Sequence, residues 1–152
     1  MRLLKMLPLL LVVLCGRPVF ASDFIAGPVE ARVIKVQDGD SLIVMARIWP
    51  GHDVRAHVRL RGIDAPELRG KCEQEKVQAK EARSELVRLV GTQKVFLRRI
   101  DKGKYYGRVL ARVDSASGID LADALLEAGL ARPYEGRKRH SWCADAATAS
   151  VK

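Results

Sequence analysis

An α+β domain is predicted by three features of the sequence: a five-stranded β-barrel with a long helix between strands three and four and a shorter C-terminal helix. Apolar and charged residues alternate over several short stretches. The period turns helical across residues 72–90, which contain neither Pro nor Gly. Turn-forming residues separate the stretches. The size agrees, since 152 residues, 48% of them hydrophobic and 30% charged, make one domain rather than two and exclude a mainly disordered chain.

The first strand is expected over Ala31–Val36, with Val33, Ile34 and Val36 turned to the core and Arg32 and Lys35 to solvent. Asp38-Gly39 is a tight-turn signal that leads into a second strand, Ser41–Ile48. Pro50 and Gly51 punctuate the segment Trp49–Asp53 and lengthen the connection to a third strand, Val54–Ile63. The long helix follows over Cys72–Val90, with Ala79, Ala82, Leu86, Leu89 and Val90 at helical spacing and Gly91 as its stop. Strands over Gln93–Arg98 and Val109–Val113 flank a polar segment, Asp101–Arg108. A second helix runs from the N-cap Asp120 to Ala128 and ends at Gly129. Past Pro133 the chain is basic, then Ala-rich, and carries no clear period. This element order is that of an OB-fold barrel, an architecture that commonly binds oligonucleotides.

Residues 1–21 form a separate segment. Arg2 and Lys5 precede an apolar run from Met6 to Leu14, and Val19-Phe20-Ala21 ends on a small residue, the layout of a secretory signal peptide cleaved after Ala21. The run is shorter than the roughly 20 residues a membrane-spanning helix needs. Export to a periplasm or the medium is therefore expected, with residues 22–152 as the single mature domain and no membrane insertion. Nothing in the sequence calls for an obligate protein partner. Cleavage removes Arg2, Lys5 and Arg17 and no acid, so the net charge falls from +9 to +6. That excess favours anionic partners: nucleic acid first, then anionic lipid or acidic protein. Cleavage also takes Cys15, leaving Cys72 and Cys143, which in an oxidising compartment are expected to form one disulfide. Two free thiols are the alternative. The bridge would pin the unassigned tail to the barrel side and leave the active site intact when reduced.

Three stretches carry chemistry. Asp38-Gly39-Asp40-Ser41 suits a capped turn or a cation ligand. Arg59-Leu60-Arg61-Gly62-Ile63-Asp64-Ala65-Pro66-Glu67 sets arginines on one strand face and carboxylates just past the strand end. That pattern is a solvated basic face or, with the carboxylates, a site for a hard cation and a phosphate. Lys104-Tyr105-Tyr106-Gly107-Arg108 offers a second guanidinium, with tyrosines that either pack in the core or stack a base. His52 and His57 have no partner at ligand spacing. Arg137-Lys138-Arg139-His140 is a solvated basic turn or a set of extra phosphate contacts.

These three stretches, in this order and spacing, resemble the signatures of the staphylococcal nuclease (thermonuclease-like) family, and the resemblance runs from about Val29 to Tyr134. It implies a calcium-dependent phosphodiesterase that cleaves DNA and RNA, single-stranded or denatured by preference, at the 5′-oxygen–phosphorus bond to leave 3′-phosphate ends. By resemblance, Asp40, Asp64 and the main-chain carbonyl of Ala65 would hold Ca2+. Arg59 and Arg108 would bind the scissile phosphate, and Glu67 would orient or deprotonate the attacking water. Lys104, Tyr105, Tyr106 and Tyr134 would contact the nucleotide. Ala65 and Tyr105 depart from the family's usual threonine and lysine. The competing class is a secreted OB-fold module that binds polyanions without cutting them.

Overall fold

A computed structural model of the chain describes residues 24–143; the expected signal segment and the Ala-rich end lie outside them. Strand β1 (Val29–Asp38) turns through Gly39-Asp40 into β2 (Ser41–Trp49), which returns through Pro50-Gly51 as β3 (His52–Leu60). A two-residue strand β4 (Ile63–Asp64) precedes helix α1 (Glu73–Val90). Then follow β5 (Lys94–Lys102), β6 (Arg108–Ser115), helix α2 (Leu121–Glu127) and β7 (Arg132–Pro133). The barrel closes in the order β1-β2-β3-β6-β5, with β3 parallel to β6 and the other pairs antiparallel. Its interior is apolar: Val33, Val44, Val58, Leu60, Val95, Leu97 and Val113 form one cluster, joined by Ala82, Leu86 and Val90 of α1 and by Leu121 and Leu125 of α2. Among the described residues, no helix is long and apolar enough to cross a membrane.

The five barrel strands, the long helix and the shorter second helix stand in the expected order. Asp120 caps α2 as predicted, its carboxylate accepting the amides of Ala122 and Asp123, an arrangement worth about 1 kcal/mol. Cys72 caps α1 without any side-chain hydrogen bond, because its sulfur is bonded to Cys143; Glu73 and Glu75 supply the negative charge of the first turn.

Three local expectations are corrected. Trp49–Asp53 is not a long connection: Trp49 pairs with His52, and Pro50-Gly51 makes a two-residue turn in which Gly51 takes the positive φ (76°) that a Pro-Gly turn requires. Ile34 faces solvent rather than the core, as alternation after the buried Val33 requires, and the β1–β2 register slip between Val33 and Lys35 then turns Val36 back to the interior. The third strand stops at Leu60, three residues early. The chain turns at Gly62, and Ile63 and Asp64 then pair with Pro133 and Arg132. This last departure anchors the C-terminal segment beside the end of β3.

Candidate active site

The β1–β2 turn places Asp40. Gly39 is tucked against α1, where a Cβ would lie 2.7 Å from that of Ala82 and 2.9 Å from that of Ala65. The turn can therefore lie against the helix only with glycine there. Asp40 is 3% exposed and is held by three donors: the Ser41 hydroxyl at 2.8 Å, the Ala65 amide at 3.2 Å and the Arg59 guanidinium at 2.7 Å. The same guanidinium reaches Asp64 at 3.2 Å. Two buried carboxylates, one from the β1–β2 turn and one from β4, thus converge on one arginine, whose strand register (Arg59 opposite Ser41 on β2) brings it there.

Arg108 enters from the neighbouring strand. Arg59 lies opposite Leu110 and His57 opposite Arg108 in the parallel β3–β6 ladder, so both arginines project from the same face. They line a cleft of ≈ 490 Å³ with Asp38, Asp40, Glu67 and Tyr134. Tyr105 also lines it, its ring lying between the Lys104 ammonium (5.6 Å) and the Arg108 guanidinium (5.5 Å). Tyr134 bonds its hydroxyl to the Arg137 carbonyl at 2.7 Å. Tyr106 is not part of this wall; it stands out in solvent at the turn before Gly107. Ala65 is buried in the site, but its observed bond is through its amide to Asp40, not through its carbonyl. His57 stays exposed, and the His52 ring lies 3.2 Å from the Pro50 carbonyl.

The tail, unassigned from sequence, supplies what that reading missed. Arg139 donates to Asp64 and to Glu67, and the Trp142 indole donates to Asp64 at 3.3 Å. Cys143 is bonded to Cys72, with Cα atoms 6.1 Å apart, as expected; but the bridge holds Arg139 and Trp142 on the site rather than standing apart from it. Arg132 stacks over Trp142 at 3.9 Å. The run Arg137–His140 was the available signal, yet nothing in it distinguishes the one arginine that turns inward.

Charge is dense here. Burial works against the Arg139 cation, but its hydrogen bonds to Asp64 and Glu67 and their charges prevail and raise its pKa above the ordinary arginine value. Asp38 titrates above the usual aspartate range, first because it is buried and further because Asp40 and Glu67 are close; the Leu68 amide and Arg83 oppose that rise. The cleft's possible ligand atoms are carboxylate, hydroxyl, amide and main-chain oxygens, with no thiol or imidazole among its lining residues. That chemistry fits a hard cation such as Ca2+ or Mg2+, not zinc or copper. Cys72, Glu75 and Cys143 also cluster, but sulfurs bonded to one another offer no thiolate to a metal.

Residues 57–149 match the staphylococcal nuclease homologue family, a span that includes Arg59, Asp64, Glu67, Arg108 and Tyr134 and begins after Asp40. The chain is also 33% identical over 107 residues to a protein of Phaeosphaeria nodorum described as probable endonuclease LCL3. That match takes in 67% of this chain and spans about a third of the relative, 33% of its length. With the closed five-stranded barrel and the convergent Asp40–Arg59–Asp64 group already in view, the family match over more than half of the sequence places the chain in the staphylococcal nuclease family.

Proposed function

We propose that this domain is an exported, calcium-dependent, sugar-nonspecific nuclease. It hydrolyses DNA and RNA, single-stranded or denatured by preference, at the 5′-oxygen–phosphorus bond and leaves 3′-phosphate ends. The observation that carries this reading is the convergence of Asp40, Asp64 and Arg59 at 2.7–3.2 Å beside Arg108, with Glu67 at the rim. A silent binding barrel has no need to bury two carboxylates next to the arginines that would hold a phosphate.

Asp40 and Asp64 would hold the cation, with the Ala65 carbonyl as a further ligand. The bound cation would supply Lewis-acid neutralisation of the phosphoryl oxygens. Arg59 and Arg108 would fork onto the same oxygens and bind most strongly as charge accumulates there, which makes them catalytic rather than adhesive. Glu67, half exposed in its side chain, would orient the water or take its proton as the water oxygen bonds to phosphorus. The bond to the 5′ oxygen breaks, and that oxygen leaves as a hydroxyl after taking a proton from solvent. Tyr105 and Tyr134 would face the nucleotide, with Lys104 near its phosphate. The bridge between Cys72 and Cys143 fits an oxidising compartment and is consistent with export.

The test is cleavage of denatured DNA and of RNA with Ca2+ and with chelator, followed by analysis of the product ends. Cleavage lost on chelation, with 3′-phosphate products, is expected. Glu67→Gln and Arg108→Ala should each lower turnover by about a hundredfold or more. Binding without cleavage in both conditions would mean a non-catalytic module.

A further inference from the structure

A second cleft adjoins the first. It lies between the turn at residues 67–71 and the tail at 137–142, has a volume of ≈ 880 Å³, and meets the catalytic cleft along Glu67 and Arg139, which line both. We infer that this cleft is a second phosphate-binding subsite, which takes the sugar–phosphate backbone of the single strand flanking the cut. The identity of the polymer rests on the nuclease reading; the anion preference rests on the cleft itself.

The charges decide the ligand class. Three carboxylates line the cleft, and each is already engaged. Asp64 and Glu67 hold Arg139. Glu75 accepts the amides of Glu67 (3.4 Å) and Lys71 (3.0 Å). Against them stand Arg69, Lys71, Arg137 and Lys138, all exposed, whose side chains pair with no carboxylate among the described residues. Five cationic side chains against three carboxylates leave the lining net positive, and the four exposed cations around one concavity repel one another unless a polyanion is present.

Both walls are fixed, which separates a built cleft from a floppy basic tail. On one side Gly70 has no Cβ, and one placed there would fall 2.5–2.6 Å from the Glu75 side chain; this lets that carboxylate reach the turn's amides. On the other, the tail leaves β7 through the Tyr134 amide on the Gly62 carbonyl (2.8 Å) and ends in the disulfide. The cationic side chains are thereby presented at low ordering cost. Of the two rings lining the cleft, Trp142 is buried and engaged by Asp64 and Arg132, and only the small imidazole of His140 stands exposed. Contact made mainly to the backbone gives affinity with little sequence preference, as a nonspecific nuclease requires. Arg139 stands at the junction, where a strand running through both clefts would present it with a phosphate in place of its two carboxylates.

Fluorescence anisotropy of a labelled single strand of about 12 nucleotides, in chelator so that nothing is cut, tests this without relying on catalysis. Arg137→Gln/Lys138→Gln and, from the opposite wall, Arg69→Gln/Lys71→Gln are compared with Arg32→Gln/Arg55→Gln. Arg32 and Arg55 are exposed on β1 and β3, both opposite Met45 and four residues along β2 from Ser41. Each cleft pair should weaken binding roughly tenfold at low salt and flatten the log–log salt slope by about 1.4, the value for two lost phosphate contacts on a single strand. The control pair should shift affinity less than twofold. Cleft variants within twofold of wild type, a control that loses as much as they do, or a wild type that does not bind would each overturn the subsite. A strand bound through the cleft but left uncut with Ca2+ would instead sink the nuclease reading and leave the subsite standing.

Discussion

The barrel face and the tail reach the same carboxylate, Asp64, by different means. On the barrel, Asp40, Arg59 and Arg108 are set by strand register: a two-residue turn, an antiparallel ladder and a parallel ladder fix where each side chain emerges. Arg139 and Trp142 instead reach Asp64 from 75 and 78 residues away, held by a two-residue ladder at one end and a disulfide at the other. Sheet hydrogen bonds build the first half of the site and a covalent link builds the second, so the halves should fail separately.

The largest effect expected is on the barrel side. Arg59, 17% exposed in its side chain, is the cation shared by Asp40 and Asp64, and Arg59→Ala leaves the more deeply buried Asp40 with no cationic partner. Breaking a buried pair in this way costs about 3–5 kcal/mol. Turnover should fall by about a hundredfold or more as the phosphate fork is lost. Arg139 is 39% exposed, and Arg139→Gln still leaves Asp64 bonded to Arg59 and Trp142, so it should cost about 1 kcal/mol or less. Urea melts of the two variants side by side check this. Equal losses would erase the distinction between register-built and tether-built halves.

Reduction of the disulfide acts on the tail alone. The bridge closes a loop across a sequence separation of 71, which in the chain-entropy model is worth roughly 4 kcal/mol as an upper figure, since native strain and residual structure reduce it. Reductant, or Cys143→Ser, should lower Tm and expose the Trp142 indole N–H to exchange, while the bonds Asp40 makes to Ser41, Arg59 and Ala65 persist within the barrel and its turns. An unchanged Tm with Trp142 still protected would show that β7 and the Arg132–Trp142 stack hold the tail unaided.

The same division governs what could be read from the sequence. Asp40, Arg59, Asp64, Glu67 and Arg108 were legible because each sits on a strand or turn whose spacing is local; the structure brings Asp40, Arg59, Glu67 and Arg108 around one cleft and joins Asp64 to them through Arg59. The order of elements along the chain was legible for the same reason. Arg139 was not, because Arg137, Lys138 and Arg139 are chemically alike, and which one turns inward depends on where Cys143 and Trp142 dock. Tyr105 and Tyr106 were equivalent as neighbours, and only the loop's path sends one into the wall and the other into solvent. The Pro50-Gly51 turn was misjudged because Pro and Gly break strands and also make the tightest turn between two of them.

A substitution at Gly39 sharpens the barrel half. Gly39 has no positive φ, so its requirement is space, not backbone freedom. A methyl group at this position would meet the Ala82 and Ala65 methyl groups at 2.7 and 2.9 Å, below any ordinary carbon–carbon contact, and neither alanine can rotate away. Either α1 and the residue 65 turn retreat by a few tenths of an ångström, or the β1–β2 turn lifts. Overpacking of this kind costs about 1–3 kcal/mol. The two outcomes differ chemically: a retreating helix leaves Asp40 on Arg59, whereas a lifted turn stretches the 3.2 Å bond from the Ala65 amide to Asp40 and weakens the carboxylate's grip on a cation. Gly39→Ala should therefore lower Tm and raise the Ca2+ concentration needed for half-maximal cleavage, with little change in turnover at saturating Ca2+. Gly39→Ala paired with Ala82→Gly, which removes the methyl 2.7 Å away, should recover part of both losses. Recovery of stability without recovery of Ca2+ response would assign the position of Asp40 to the contact with Ala65 rather than to the packing against α1.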